Sequence, residues 1–65
     1  MSLAKVIEVL AEGDTIEKAT EAAVAEASKS VRNIKHVYVK DLQALVKDGS
    51  VQGYRANCKV TFVLD

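Results

Sequence analysis

The sequence predicts an α+β fold of order β-α-β-β, in which one long helix packs against one face of a three-stranded antiparallel sheet. Three observations predict this fold. An apolar, β-branched segment opens the chain, an alanine-rich amphipathic segment follows, and the last segment alternates strictly between apolar and polar residues. We expect the 65 residues to form one domain, residues 1–65, because the sequence contains no linker, low-complexity segment or internal repeat.

The first strand and the helix are predicted from residue type and spacing. Residues 3–10, LAKVIEVL, are short and apolar, as is typical of a strand. Asp14 is a good helix N-cap, and Glu17, three residues later, completes a capping box. We predict a helix of about 20 residues, roughly 30 Å long. Its apolar stripe is mostly alanine, which allows a close approach to the sheet, and contains Ile16, Ala19, Ala23, Ala27, Val31 and Ile34.

The remaining strands determine the predicted sheet order. Residues 36–46 read as the second strand and residues 54–64 as the third, joined by a hairpin turn at Asp48-Gly49. A helical crossover returns the second strand parallel to the first, whereas a hairpin makes the third antiparallel to the second. Placing the third strand in the middle makes every neighbouring pair antiparallel. We therefore predict the order 1-3-2, with the helix against one face.

Composition narrows the class of protein. Nine Lys plus Arg balance nine Asp plus Glu, so nothing in the charge recommends a nucleic acid or an anionic membrane as partner. No apolar run of about 18 residues is present, and the N-terminus lacks a signal-peptide pattern. Together with the single cysteine, these observations lead us to expect a cytoplasmic protein.

Association with further copies is expected on physical grounds. Chains this short usually need a disulfide, a metal or oligomerisation to be stable, and one cysteine cannot form an intramolecular disulfide. The first strand is apolar on both faces, with Val6 and Leu10 on one and Ile7 and Val9 on the other. Because one helix covers only one face, we expect a second copy to cover the other.

Candidate chemical groups are few. Cys58 shares a strand face with Val60 and Phe62, so we interpret it as a small buried hydrophobe rather than a reactive thiol. No nucleophile, base and orienting residue can be combined, so we predict no enzyme activity and no catalytic residue. Two acidic segments, residues 12–14 and the turn at Asp48, would hold calcium only at a site shared between copies, since calcium takes about six to eight oxygens. The simpler interpretation is a helix cap and a turn, and no metal ligand is assigned.

His36, the only histidine, shares a predicted strand face with Tyr38 and Lys40, opposite Val37 and Val39. Three interpretations remain open. His36 is a partly exposed residue on the polar face, a stacking or hydrogen-bonding contact to a planar ligand at an interface, or a lone metal ligand.

Three segments together resemble one known family. KVIEVLAEG, SVRNIKH and YRANCKVTFVLD, in this order and spacing, resemble the dodecins over essentially the whole chain. The resemblance implies a hollow homododecamer built from trimers, in which the three-stranded sheet of each subunit is wrapped around its helix. It also implies a non-catalytic protein that stores flavins, such as riboflavin or FMN, at subunit interfaces. In dodecins a Trp early in strand two stacks on the flavin ring, and a Gln in strand three hydrogen-bonds its polar edge.

Carried over position by position, the Trp falls on His36 and the Gln on Arg55. Imidazole offers less stacking area than indole, and guanidinium donates hydrogen bonds but accepts none. The resemblance thus implies His36 and Arg55 as ligand-binding residues, with Tyr38, Lys40 and Gln43 as neighbours, for a flavin or another anionic nucleotide-like ligand. Some dodecins lack the Trp and are associated with calcium rather than flavin, and this chain resembles that branch, so the alternative is a dodecameric assembly that binds calcium and no flavin.

Overall fold

Four elements make up the computed structural model, which describes residues 3–64: β1 (Leu3–Gly13), α1 (Ile16–Ala27), β2 (Ile34–Lys47) and β3 (Ser50–Leu64). β3 lies between β1 and β2 and is antiparallel to both. The helix packs on one face of the sheet, mainly against β1 and β3. The predicted β-α-β-β order and the sheet order 1-3-2 are therefore confirmed.

The core consists of small side chains on both sides of the helix–sheet contact. The buried side of α1 is alanine at every fully covered position, and its partners on β3 are Ala56, Cys58 and Val60, none of them exposed to solvent. Full burial of an aliphatic side chain such as valine contributes roughly 1.5–3 kcal/mol, and alanine contributes less. The helix therefore depends on close approach to the sheet, which small side chains permit. The buried alanines of α1 are Ala19, Ala23 and Ala27.

All three strands are longer than the sequence predicted. β1 continues to Gly13, which pairs with Tyr54, and β3 begins at Ser50 rather than at residue 54. The turn at Asp48-Gly49 is confirmed, because both residues have positive φ, 52° and 78°, as the two-residue type I′ hairpin turn requires. Pairing in the hairpin thus extends beyond the last residue of β1.

The predicted N-cap of the helix is wrong by one residue. Thr15, not Asp14, is the cap: its Oγ1 accepts a hydrogen bond of 3.0 Å from the backbone N–H of Lys18. The first helical bond runs from the Ala19 N–H to the Thr15 carbonyl, 2.9 Å. Because Gly13 still belongs to β1, Asp14 lies in the short connection between the strand and the cap residue. Glu17 does not form a capping box but lies in the first turn, where the helix dipole favours an acidic side chain.

The predicted length of the helix is also wrong, since α1 has 12 residues rather than about 20. The backbone N–H groups of Ser30 and Val31 both donate to the Ala27 carbonyl at 3.0 Å, which closes the helix in a tight turn. Asn33, with φ of 62°, then redirects the chain into β2. Val31 and Ile34 still pack against the core, Ile34 as the first residue of β2. Apolar spacing therefore continues past the helix because the turn and the next strand contact the same core.

Candidate functional site

The face of the sheet opposite α1, hereafter the outer face, carries most of the predicted site residues. On β3 the residues at 56, 58 and 60 are buried against the helix, so the alternate residues point the other way. Directly paired residues of an antiparallel sheet share a face. Four of the five predicted residues therefore lie on the outer face, through the pairs His36–Thr61, Tyr38–Lys59 and Gln43–Arg55.

A β-bulge places Gln43 on this face. Strict alternation from His36 puts Gln43 on the opposite side of β2, because the two positions differ by an odd number. The register shifts between Val39 and Asp41, so β2 has one more residue there than β3. The extra residue reverses the alternation and brings Gln43 opposite Arg55. Lys40, which falls at the bulge, has no direct partner on β3 and is exposed.

His36 and Tyr38 form an exposed aromatic pair on the outer face. They are two residues apart on one strand, which separates them by about 7 Å. Tyr38 is 61% exposed although it lies within a regular strand, and His36 is exposed as well. Two neighbouring rings left open on a sheet provide a flat surface against which another planar group can stack.

Arg55 is not free but forms an ion pair with Glu12 on the neighbouring strand. Its Nε and Nη2 atoms both donate to Oε2 of Glu12, at 2.9 and 2.7 Å. The pair forms because Glu12 and Arg55 are direct partners in the β1–β3 register. Sequence reasoning considered Glu12 only as part of an acidic loop and missed this role. The predicted sheet order made β1 and β3 neighbours, but the exact register was needed to bring these two residues together.

His36 and Arg55 lie far apart within one chain. His36 is paired with Thr61 on β3, and Thr61 is six residues away from Arg55 along the same strand. At 3.4 Å per residue this separation is about 20 Å. The two side chains of one chain are thus too far apart to contact the same planar ring. A site that uses both of them on one ring needs two copies of the chain.

The sequence model of the dodecin family matches residues 3–65. The chain belongs to the dodecin family. Solved structures agree: a Thermus thermophilus dodecin with Trp replaced by Phe is 26% identical, with a TM-score of 0.89 over 100% of this chain and 98% of its own. A variant of T. thermophilus dodecin with Arg replaced by Ala is also 26% identical, with a TM-score of 0.90 over 100% of this chain and 98% of its own. A further T. thermophilus protein is 26% identical, with a TM-score of 0.91 over 100% of this chain and 97% of its own. No curated protein matches the chain.

Dodecins are small flavin-binding and storage proteins that assemble into oligomers, and this chain shares their family and fold. The outer face of this dodecin remains uncovered in the single chain. Val6 and Leu10, on β1 in the same face, are 55% and 64% exposed. An oligomer of the family type removes such apolar area from water at about 25 cal/mol per Å².

The other candidate groups behave differently from the outer face. Cys58 is completely buried, as predicted, and burial raises the pKa of its thiol, which disfavours the reactive thiolate. Between residues 3 and 64 no three His, Cys, Asp or Glu side chains converge as a metal site requires. Within the same range no helix is long and apolar enough to cross a membrane. A surface cleft of about 300 Å³ lies between the end of α1 and the end of β3, and contains none of the predicted site residues.

Proposed function

We propose that this dodecin is a non-catalytic small-ligand storage protein that holds a flavin, riboflavin or FMN, at the interfaces of a homododecamer built from trimers. Each subunit is a single domain over residues 1–65. The observation that carries the proposal is the separation of about 20 Å between His36 and Arg55 on one exposed face. One ring reaches both residue types only where His36 of one subunit approaches Arg55 of another.

The outer face offers each residue a role in holding such a ligand. His36 and Tyr38, exposed side by side, stack on the planar ring. Gln43 and Arg55, paired across β2 and β3, hydrogen-bond its polar edge. Lys40, exposed at the bulge beside Tyr38, supplies a cation for the phosphate of FMN.

Storage rather than catalysis is supported by the chemistry of the described residues. The one thiol is buried, and its raised pKa keeps it protonated. Stacking and hydrogen bonding on the outer face require no reacting group.

The test is a titration of riboflavin and of FMN with the assembled protein, followed by flavin fluorescence. We expect quenching at micromolar protein, and sizing should show a particle of twelve subunits of 7.0 kDa. His36→Ala, which removes the stacking ring, should weaken binding, whereas Lys47→Ala, at the far end of β2, should not.

Two outcomes contradict the proposal. An intact particle that leaves flavin fluorescence unchanged at high flavin rules against flavin storage. Calorimetric titration with Ca²⁺ then tests the alternative, an assembly that binds calcium instead. A stable 7.0 kDa monomer contradicts the interface site itself, because one chain cannot bring the two residues to one ring.

A further inference from the structure

One row of side chains crosses all three strands of the outer face. It consists of Glu12 on β1, Arg55 on β3 and Gln43 on β2, hereafter the polar row. Adjacent strands are about 4.8 Å apart, so the row spans about 10 Å. The side chains of Arg55 and Glu12 are 40% and 53% exposed, and Gln43 is exposed as well. The polar row is thus fixed in register and still accessible.

The Glu12–Arg55 pair leaves hydrogen-bonding groups of both kinds unused. Both bonds from Arg55 end on Oε2 of Glu12, so Oε1 of Glu12 has no hydrogen-bond partner among residues 3–64. Nη1 of Arg55 likewise donates to no described group, and guanidinium has five N–H donors in a rigid plane. An acceptor oxygen and a donor group therefore lie next to each other, held by a charge-assisted bond.

Charge neutralisation changes what Arg55 recognises. A lone guanidinium on a protein surface favours phosphate or carboxylate groups, which it binds with two parallel hydrogen bonds. In this protein a carboxylate already occupies the Nε and Nη2 positions, so the pair carries no net charge. An anion that approaches Arg55 also meets the negative charge of Glu12 at close range.

We infer that Glu12 and Arg55 act as one recognition unit, with Glu12 as its specificity-determining residue. The unit selects an uncharged planar heterocycle that carries an N–H and a C=O side by side on its edge. Oε1 of Glu12 accepts from the ligand N–H, and Arg55 donates to the ligand carbonyl. The inference rests on the proposed function and adds to it the chemical class of the ligand edge and a residue on β1 that reads it.

The probes are riboflavin, whose imide edge carries the N–H at N3 between two carbonyls, and 3-methylriboflavin, in which a methyl group replaces that hydrogen. Both are titrated by fluorescence quenching into the assembled wild-type protein, Glu12→Gln and the matched control Glu8→Gln. Glu8 lies on the same strand and face, opposite Lys59, and forms no ion pair with any of residues 3–64. Sizing verifies that each variant forms the wild-type particle.

We expect the wild type and Glu8→Gln to bind riboflavin about tenfold more tightly than 3-methylriboflavin, the effect of losing one charge-assisted hydrogen bond. In Glu12→Gln the amide oxygen faces Arg55 and its NH₂ group faces the ligand, so an acceptor becomes a donor. Riboflavin affinity should therefore fall about tenfold and the preference over 3-methylriboflavin should disappear. A purely structural role of Glu12 weakens both probes equally and leaves their ratio unchanged.

Three results overturn the inference. If the wild type binds both probes equally, Glu12 does not accept a hydrogen bond from the ligand N–H, and no variant is needed to show this. If Glu12→Gln still prefers riboflavin to 3-methylriboflavin, another residue is responsible for the preference. In both cases riboflavin is still bound, so the proposed function stands. If the assembled wild type binds neither probe, the proposed function and the inference fail together.

Discussion

Gly13→Ala should destabilise the protein more than a change at any other glycine, because the backbone of α1 lies directly against Gly13. A Cβ atom at Gly13 would lie 2.5 Å from the backbone N of Ala19 and 2.7 Å from the backbone C of Lys18. Carbon atoms in favourable contact are about 3.5–4.0 Å apart. The helix therefore has to move by about 1 Å, and both obstructing atoms belong to its backbone, so no side-chain rotation relieves the clash.

The magnitude follows from two opposing effects. Overpacking of a close contact costs about 1–3 kcal/mol, and a clash with backbone atoms belongs at the upper end. Replacing glycine by alanine also restricts the unfolded chain, which stabilises the folded state by about 0.4–1 kcal/mol. The clash is the larger effect, and we expect a net loss of about 2 kcal/mol. For a small domain this loss is a large part of the free energy of unfolding.

The assay is urea unfolding followed by far-UV circular dichroism at one fixed subunit concentration, since assembly makes stability depend on concentration. Gly49→Ala is the control for backbone strain, because its Cβ meets nothing within 4 Å but its φ is +78°. It should lose about 1 kcal/mol. In Gly53→Ala the new Cβ would lie 3.0 Å from the Gly13 carbonyl oxygen, so this variant should lose less free energy of unfolding than Gly13→Ala.

If Gly13→Ala unfolds at the same urea concentration as the wild type, or loses no more than Gly49→Ala, the reasoning about close approach is refuted. A second measurement links the contact to the proposed site. Because Glu12 precedes Gly13 in β1, displacement at Gly13 should also weaken riboflavin binding, which flavin fluorescence reports.

Three further predictions concern the ligand, the thiol and the helix cap. The double variant His36→Trp with Arg55→Gln should bind riboflavin more tightly, since indole stacks over more area and an amide both donates and accepts hydrogen bonds. If the variant assembles but binds riboflavin no better, the dodecin Trp and Gln positions do not correspond to His36 and Arg55. Cys58 should resist iodoacetamide in the folded protein and react on unfolding, and rapid labelling of the folded protein contradicts this. Because burial raises the pKa of Cys58 in the folded state, the free energy of unfolding should fall as the pH rises above the ordinary pKa of a thiol. Thr15→Ala should cost about 1 kcal/mol in urea unfolding and Asp14→Ala less, and the reverse order contradicts the observed cap.

Much of the fold was predictable because its determinants are local. The alternation around Cys58 identifies a central strand, and Asp48-Gly49 supports the positive φ angles of the hairpin turn. The end of α1 was not predictable in this way. Val31 and Ile34 continue the helical spacing while belonging to a turn and a strand, because all three segments contact one core.

The candidate site was predictable only in part, for reasons that can be stated residue by residue. The resemblance to dodecins indicated His36 and Arg55, but alternation alone places Gln43 on the wrong face, and only the bulge at Lys40 corrects this. Glu12 was missed because its partner is 43 residues away in sequence, and nothing local indicates the register that joins them.

By itself, the sequence determined the strand and helix types, the turn, the sheet order and the family, because periodicity, turn chemistry and chain connectivity act over short distances. Only the tertiary structure decided where α1 ends, which face carries Gln43 and which residue neutralises Arg55. These depend on the pairing register of the strands, in which a shift of one residue moves every side chain to the other face. The chemistry of the outer face is therefore a property of the register, not of any one segment.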